Sequence, residues 1–340
     1  MNVSMWVKSL TVAQHVSQDE WKELDIISRW LIAVRGSFFP PTIFASILLC
    51  FFALHAQKLD IGIWLLVSLG LVLSHATVNF FNDITDHVMG VDDDKAGYRH
   101  GYAAHPLASG YMSKSAFIIR YASVSAIGAL AVGFALLYIK NQDIGIWILF
   151  LSGAIAVTFY TWPFKVMGLG NIVTTISWGP LMIGGGYYVI TGEWSNYVLL
   201  ASIPYSLGVS GVLLGAHMDK YNEYKKGNIK TLPVLLGMDW ARRIEIVSLI
   251  TPFVIIFALY MVGFFHFTIA ITLLAIPKLI TTIKIYASRR PTGKDEIKDK
   301  VLKQAWPLYY TVASTRYDKI FGPLYILAVL VDALMLKFVL

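Results

Sequence analysis

Five aspartates lie in one short stretch of the sequence, Asn79 to Gly97, directly after a long apolar segment. Clustered carboxylates beside lipid repel one another and are costly to desolvate, so they require a counter-ion. At 3.6 residues per turn, one helical face of this stretch carries Asn79, Asn82, Asp83 and Asp86. Gly90 then breaks the helix, which lets Asp92 and its two acidic neighbours fold back toward that face. A solvated acidic loop is the alternative, but the density of oxygen ligands favours Mg²⁺, which substrate phosphates commonly complete.

A second acidic cluster, Gly215 to Gly237, also follows an apolar segment. It places Asp219 and Glu223 four residues apart, on one face of a helix. Three lysines stand close by, at Lys225, Lys226 and Lys230. Surface pairing of these acids with the lysines is the alternative, but both clusters end apolar segments in the same way. Two such clusters, interleaved with basic residues, predict a cage for a diphosphate group bridged by Mg²⁺.

The elements that must hold these clusters are membrane-spanning helices. Of the 340 residues, 56% are hydrophobic and only 14% are charged, and the mean hydropathy is +0.62. This composition predicts an all-α integral membrane protein. Segments of roughly twenty apolar residues, each able to cross a hydrocarbon core of about 30 Å as a helix, give a bundle of about nine transmembrane helices. We place them near 37–56, 61–82, 115–138, 143–161, 171–191, 196–217, 244–264, 266–286 and 320–339.

Lysine and arginine set the predicted orientation, since short loops that retain positive charge stay in the cytoplasm. They gather before the first span and after the second, fourth, sixth and eighth. The N-terminus is therefore predicted to be cytoplasmic and the C-terminus outside, with both acidic clusters on the cytoplasmic side of a multi-pass plasma-membrane protein. The net charge of +7 indicates topology and attraction to anionic lipid, and nucleic acid is not an expected partner. The single cysteine, Cys50, excludes a disulfide framework and a thiolate metal site.

Two segments differ from the spans. Residues 1–36 are predicted to be an amphipathic N-terminal segment, and residues 37–340 a single transmembrane domain. Within the first, Glu20 to Arg35 are predicted to form one helix on the inner membrane surface. Its apolar face would carry Trp21, Leu24, Ile27 and Leu31. The charged connection 287–319 is predicted to be a basic linker at the membrane surface, and no role is assigned to it.

The sequences of both acidic clusters resemble motifs of a known protein family. "NDITDHVMGVD", from Asn82, is similar to the first aspartate-rich motif of the UbiA superfamily of membrane prenyltransferases, and "DKYNEYKKGNIKTLPVLLG", from Asp219, to its second. The spacing N-D-x-x-D-x-x-x-G-x-D resembles the branch that prenylates 1,4-dihydroxy-2-naphthoate in menaquinone synthesis. The second motif departs from that branch, because Ala216, His217 and Met218 precede its aspartate and Glu223 replaces an aspartate. This departure bears on the acceptor more than on the type of reaction.

The resemblance implies Mg²⁺-dependent transfer of a polyprenyl group from a polyprenyl diphosphate to an aromatic acceptor, most closely 1,4-dihydroxy-2-naphthoate. The diphosphate would lie between the motifs, bridged by two Mg²⁺ ions. One ion would be held by Asn82, Asp86 and Asp92, with Asp83 as a ligand or a neighbour of ligands, and the other by Asp219 and Glu223. Diphosphate contacts are assigned to Tyr160, Lys114, Arg120, Lys225, Lys226 and Lys230. Asp86, Asp219 and Tyr160 are thereby the candidate catalytic residues.

Further residues extend this hypothesis toward the acceptor and the reactive cation. By the same resemblance, Arg35 would bind the carboxylate of the acceptor or the diphosphate through its guanidinium fork. Snorkelling of Arg35 to the headgroups is the alternative. An allylic cation would be stabilised by aromatic faces, for which the candidates are Phe159, Tyr160, Trp162, Trp178, Tyr187 and Tyr188. Anchoring at the membrane interface is the alternative for these rings.

Other functions stay open at this point. The acceptor could be a hydroxybenzoate, homogentisate or a lipid glycerol, and intramolecular terpene cyclisation is a remoter option. A cation transporter, in which the acids would be ion sites, is the alternative from another class. The acids gather at one face of the membrane, however, whereas a transporter requires sites accessible from both sides. The expected partners are the two substrates and the lipid bilayer, and no protein partner is predicted.

Overall fold

The computed structural model describes residues 2–12, 14–88, 106–107 and 109–338, without the side chains of Asp86, Lys337 and Phe338. Every regular element in these ranges is a helix. The N-terminal helices are α1 (Val3–Thr11), α2 (Gln18–Glu23) and α3 (Ile26–Ala33), and a short 3₁₀ turn follows at Gly36–Phe38. The predicted ligand Asp92 lies outside the described residues.

The N-terminal segment consists of short helices, so the prediction of one helix from Glu20 to Arg35 is wrong. Asp25 accepts hydrogen bonds from backbone N–H groups at the start of α3. A capping aspartate takes a non-helical backbone conformation, and the chain therefore turns between α2 and α3. The turn also divides the predicted apolar face, since Trp21 is 4% exposed whereas Ile27 is 41% exposed.

Long apolar helices make up the rest of the described chain. They and the short helices between them are α4 (Pro40–His55), α5 (Ile61–Val88), α6 (Lys114–Ile139), α7 (Ile144–Met167), α8 (170–191), α9 (Asn196–Asp219), α10 (Tyr221–Lys226), α11 (Leu232–Leu236), α12 (Met238–Met261), α13 (Phe267–Ala287), α14 (Lys300–Gln304) and α15 (Tyr309–Phe338). Eight helices, namely α4 to α7, α9, α12, α13 and α15, are long and apolar enough to cross a membrane. The protein is thus an all-helical, multi-pass membrane protein.

Helix α8 corresponds to the predicted fifth span, but it is not among the eight helices that are long and apolar enough to cross a membrane. The segment is helical throughout residues 170–191 and widens into π-helical turns around Pro180. Its glycines and tyrosines lower its mean hydropathy. They also allow close packing, because a Cβ atom added to Gly185 would lie 2.7 Å from the Leu149 side chain of α7. Helix α8 is therefore held within the bundle by its small residues.

Contacts between sequence-distant residues define the two ends of the bundle. At one end, Arg35 pairs with Asp83 at the end of α5, and Lys165 near the end of α7 donates to Asn82 at 3.1 Å. Both acidic motifs lie at this end, which is the predicted cytoplasmic end.

At the opposite end, Tyr188 of α8 donates to Asp143 at 2.9 Å. Asp332 near the end of α15 accepts the backbone N–H of His266 at 3.0 Å and contacts His55 Nε2 at 3.2 Å. These residues lie at or near the ends of their predicted spans, on the side that was predicted to lie outside the cell.

The close approach of α9 to α15 positions the second acidic motif. A Cβ atom on Gly215 would lie 2.8 Å from the Tyr310 carbonyl group, and only glycine lets two backbones come so near. Helix α9 ends four residues later at Asp219. The second motif is therefore placed against the first turn of α15.

Candidate functional site

The first acidic motif lies on the last turns of α5. Asp83 is 1% exposed and forms an ion pair with the guanidinium group of Arg35. The side chain of Asn79 donates to the backbone carbonyl of Val34 at 3.0 Å. The junction between α3 and α4 is therefore attached to the motif at two points, and the partner of Asp83 is provided by this junction.

Arg35 has an unusual backbone conformation. Its φ of 57° and ψ of 58° lie in the left-handed region, which costs free energy for a residue with a side chain. The ion pair with buried Asp83 and the tight turn into Gly36 hold this conformation. The sequence interpretation had Arg35 reading the acceptor or the diphosphate, and it did not identify Asp83 as its partner.

Lys165 connects the first motif with the second, and the sequence interpretation missed this role. The lysine is 6% exposed, and its Nζ atom donates to Asn82 Oδ1 at 3.1 Å. The same Nζ atom lies 5.9 Å from the centre of the Tyr224 ring, which in turn packs against His217. The only available signal was a lysine directly after an apolar span, which is also the ordinary sign of a cytoplasmic loop.

Asp219 of the second motif accepts hydrogen bonds from the start of α15. Its carboxylate receives the backbone N–H groups of Tyr310 at 3.1 Å and Thr311 at 2.9 Å, and the Thr311 hydroxyl at 2.8 Å. Arg290 adds a guanidinium contact at 3.2 Å. Asp219 is 2% exposed and acts as a cap for the N-terminus of α15, where negative charge is favoured.

Arg290 is a second site residue that sequence reasoning missed. It lies in the connection 287–319 and also donates to the Pro307 carbonyl at 2.8 Å. Its guanidinium carbon lies 4.9 Å from the centre of the Trp306 ring and 6.0 Å from that of Tyr310. These contacts fix the guanidinium beside Asp219. A basic residue in a long charged loop offered no signal for such a position.

Glu223 differs from Asp219 in its surroundings. It is half-buried, and its Oε2 atom is buried without a hydrogen-bond partner among the described residues. A buried carboxylate oxygen without a donor is costly and suits a cation. The oxygens of Asn82, Asp83 and Glu223 therefore fit the ligand preference of Mg²⁺. Four donors contact the two oxygens of Asp219 in this arrangement, and its role as a ligand stays a prediction.

The residues with assigned side chains do not complete a metal cage by themselves. Within the described ranges, no group of three His, Cys, Asp or Glu side chains could hold a metal ion. The predicted ligand Asp86 has its backbone on α5, but its side chain is outside the described part, as is all of Asp92. Their roles as ligands stay predictions.

The basic residues assigned to the diphosphate are dispersed. Lys114, Lys225, Lys226 and Lys230 are exposed, and Arg120 lines a pocket with Lys22 and Arg29 on the N-terminal segment. None of the five assigned cations forms an ion pair within the part of the chain that the structure describes. Tyr160 is half-buried at an irregular turn of α7. These assignments also stay predictions.

The aromatic candidates divide into two groups. Trp162 is 63% exposed and Phe159 is 42% exposed, so both face the lipid side of the bundle. Trp178 instead packs against His75 with ring centres 5.3 Å apart. His75 lies on α5 about two turns deeper than Asn82. Trp178 is thus the candidate placed on the inner side of the first motif.

Comparisons with known proteins show which family and which solved structures this chain is similar to. A family model described as the UbiA prenyltransferase family matches residues 39–301. A 1,4-dihydroxy-2-naphthoate octaprenyltransferase of Haemophilus influenzae is 27% identical over 65% of this chain and 73% of that protein. The protein of the same name from Bacillus subtilis is 22% identical over 72% of this chain and 76% of that protein.

Two solved structures show the same fold. A UbiA homolog from Archaeoglobus fulgidus bound to DMAPP and Mg²⁺ has a TM-score of 0.54 and 17% identity, covering 89% of this chain and 99% of that one. The apo structure of a UbiA homolog from Aeropyrum pernix K1 has a TM-score of 0.58 and 14% identity, covering 86% of this chain and 97% of that one. At these identities the likeness is one of fold.

Proposed function

Since the chain belongs to the UbiA prenyltransferase family, we propose that it transfers a polyprenyl group from a polyprenyl diphosphate to 1,4-dihydroxy-2-naphthoate in menaquinone biosynthesis. The observation that carries the proposal is the position of Lys165. It donates to Asn82 of the first motif and lies over Tyr224, the neighbour of Glu223 in the second. The names of two relatives support the choice of acceptor.

The metal-binding side chains of the proposed site are Asn82, Asp83 and Glu223, together with Asp86 and Asp92. They would hold two Mg²⁺ ions, which when bound neutralise the negative charge that builds up on the leaving diphosphate. Support comes from the oxygen donors at the end of α5 and from the buried carboxylate oxygen of Glu223 without a donor.

The protein's own cations would bind and orient the diphosphate. Lys165 is a buried ammonium group between the motifs and would donate to a diphosphate oxygen. Arg35 holds the Asp83 carboxylate in a fixed position. Both side chains provide positive charge at the same end of the bundle, so that a polyanion would be attracted there.

The interior of the bundle beside the first motif would exclude water from the reactive cation. The C–O bond of the allylic diphosphate breaks with its electron pair going to diphosphate. The electron-rich ring of the acceptor forms a C–C bond to the allylic carbon, and the attacked ring carbon then releases its proton, which restores aromaticity. Water would capture such a cation. Phe39, His75 and Trp178 form a chain of edge-to-face rings there, with centres 5.4 Å and 5.3 Å apart, and can stabilise it through their faces.

The decisive experiment for the acceptor uses the purified protein. Mass spectrometry would identify the products from a panel of prenyl diphosphates with 1,4-dihydroxy-2-naphthoate, hydroxybenzoate, homogentisate and a glycerol lipid. We expect prenylated product from the naphthoate. Product from another acceptor alone would replace the proposed acceptor, and failure with every acceptor would contradict the proposed activity.

We propose further that the chain crosses the plasma membrane nine times, with the N-terminus and the site in the cytoplasm. Helices α4 and α15 support this, because Arg35 and Asp219 mark one end of the bundle whereas His55 meets Asp332 at the other. Two helices that run in the same direction at the two ends of the chain require an odd number of crossings, and α8 supplies the ninth.

Single cysteines would test this topology. In a background with Cys50→Ser, we expect Lys226→Cys and Lys298→Cys to react with a membrane-impermeant maleimide only in inside-out vesicles. The matched control, Lys140→Cys, should react only in right-side-out vesicles. Labelling of Lys298→Cys from the outer face would contradict the nine-span arrangement.

A further inference from the structure

A small pocket lies between the N-terminal segment and the start of α6. It has a volume of about 190 Å³ and is lined chiefly by Trp21, Lys22, Arg29, Tyr111, Arg120 and Tyr121. Three separate parts of the chain therefore form it: the helices α2 and α3, the turn before α6, and α6 itself. None of the lining residues that the structure describes carries a carboxylate.

The charge in this pocket is positive and incompletely satisfied. Arg29 donates one guanidinium N–H to the backbone carbonyl of Lys22 at 2.6 Å, but its Nε atom is buried without an acceptor among the described residues. Arg120 is exposed and forms no ion pair within the described chain. Lys22 pairs with Asp19, and both side chains are well exposed to solvent, so this pair contributes little to stability.

The walls of the pocket are fixed by aromatic packing. The rings of Trp21 and Tyr111 have centres 6.0 Å apart, and the Tyr111 hydroxyl donates to the Val16 carbonyl at 2.6 Å. Tyr121 stacks on Phe80 of α5 at 6.0 Å. The cations are thus presented by a preformed structure, which reduces the entropy cost of binding a ligand.

The pocket lies at the same end of the bundle as the acidic motifs. Phe80, which packs on Tyr121, is one helical turn before Asp83 on α5. Arg120 lies at the end of the second turn of α6, near the end at which that helix enters the membrane. This is the depth of lipid headgroups, at which arginines attract anionic phosphate.

We propose that this pocket is a binding site for a phosphate group, with Arg29 and Arg120 as its donors, and that Arg120 therefore serves this pocket and not the diphosphate between the two motifs, to which the sequence analysis assigned it. The headgroup of an anionic phospholipid and a free phosphate or diphosphate share this chemistry. Because the site joins α2 and α3 to α6, a bound phosphate would attach the N-terminal segment to the transmembrane bundle. Guanidinium groups suit such a ligand because they can donate two parallel hydrogen bonds to phosphate oxygens.

The test measures binding to the full-length purified protein in detergent, with EDTA present so that the Mg²⁺ site does not contribute. Native mass spectrometry would compare the binding of phosphatidylglycerol with that of phosphatidylcholine. The shift in the thermal unfolding temperature would measure the binding of inorganic phosphate and pyrophosphate. The variant is Arg120→Gln, because the Arg120 side chain is exposed and makes no hydrogen bond or ion pair with the described residues. Arg243→Gln is the matched control, since Arg243 is also exposed near the start of a span and packs on Trp240.

We expect Arg120→Gln to weaken phosphatidylglycerol binding about fivefold, Arg120→Lys to recover part of it, and Arg243→Gln to leave it unchanged. The same dependence seen with phosphate or pyrophosphate but not with the lipid would support the site and assign it to a free anion. Equal losses in Arg120→Gln and Arg243→Gln, or no loss in either, would overturn the proposal. Because no prenyl transfer is measured, this outcome is independent of the proposed enzymatic function.

Discussion

The two acidic motifs of this protein end apolar helices at the same end of the bundle, yet their aspartates have different neighbours. Asp83 and Asp219 are both almost fully buried, at 1% and 2% exposed, and each contacts one arginine. Arg35 comes from 48 positions before its aspartate and Arg290 from 71 positions after. Asp219 also accepts the backbone N–H groups of a helix N-terminus.

This difference indicates that residue type and spacing do not determine which positive group neutralises a carboxylate. A metal ion, a guanidinium group and the N-terminus of a helix compete for the same oxygens. In the first motif, Asp83 pairs with Arg35 and Asn82 accepts a hydrogen bond from Lys165, and Mg²⁺ binding there is part of the proposal. In the second, α15 and Arg290 occupy the oxygens of Asp219, and Glu223 is the acid with a buried oxygen without a donor. We therefore infer that Asp219 positions α15 and Arg290.

Removal of the metal should have the largest effect, since it would affect both motifs together. We expect EDTA to abolish prenyl transfer and an excess of Mg²⁺ to restore it, because the leaving diphosphate would lose its neutralising charge. The measurement is product formation in detergent with and without chelator. Full turnover in EDTA would show that neither motif requires a metal ion for the reaction.

The next prediction separates the two motifs. Asp86→Asn should lower turnover by about a hundredfold or more, as expected for loss of several kcal/mol of transition-state stabilisation, with little change in thermal stability. Asp219→Asn should lower turnover less than about tenfold, the factor that corresponds to 1.4 kcal/mol. It should also reduce the free energy of unfolding by roughly 1.5 to 3 kcal/mol, because Arg290 loses its charged acceptor.

Arg290→Gln provides the control for this comparison. In that background Asp219→Asn should cost less stability, since the two residues are in contact and their effects should not add. An Asp219→Asn enzyme as inactive as Asp86→Asn, with unchanged unfolding, would instead make Asp219 a metal ligand. The contacts of Asp219 with α15 would then have to open when metal binds.

Arg35→Ala should lower turnover by an intermediate factor, and it tests how the first acidic motif is neutralised. Because Arg35 is paired with Asp83, its loss should leave a buried charge unpaired and lower turnover on all acceptors by a similar factor, on the order of tenfold. The measurement is the ratio of turnover on 1,4-dihydroxy-2-naphthoate to that on its decarboxylated analogue. A selective loss on the acceptor with a carboxylate would show that Arg35 reads the acceptor, which the sequence left open.

The smallest effect is expected for an exposed pair in the same connection as Arg290. Arg316 donates to Asp299 at 2.7 Å, with side chains 33% and 40% exposed. This hydrogen bond holds the pKa of Asp299 below its ordinary value. The pair therefore stabilises the folded state above the ordinary pKa of aspartate, and this stability is lost as the pH falls through the lowered value.

Asp299→Asn should thus reduce the free energy of unfolding by less than about 1 kcal/mol at neutral pH, and by less still in acid, with turnover unchanged. Thermal unfolding at several pH values is the measurement. Asp299 also caps α14 by accepting the backbone N–H groups of Val301 and Leu302, which asparagine can still do. A loss as large as that of Asp219→Asn would contradict the distinction between a buried capping aspartate and an exposed one.

Local pattern in the sequence predicted much of this molecule. Apolar runs predicted an all-helical membrane protein, and the described helices confirm that class. The motifs that begin at Asn82 and Asp219 predicted membership of the UbiA family, which is also confirmed. Both signals are local, because the length of an apolar run and the spacing of acids along a helix are properties of about twenty consecutive residues.

Only the tertiary structure decided how the charges are neutralised. The pairing of Arg35 with Asp83, the bridge made by Lys165, and the capping of Asp219 by α15 join segments 48 to 92 positions apart. Such contacts depend on the packing of whole helices, for instance on Gly215, which lets α9 approach α15. The lysines and arginines at this end of the bundle look alike in the sequence, and helix packing decides which of them reaches a buried carboxylate.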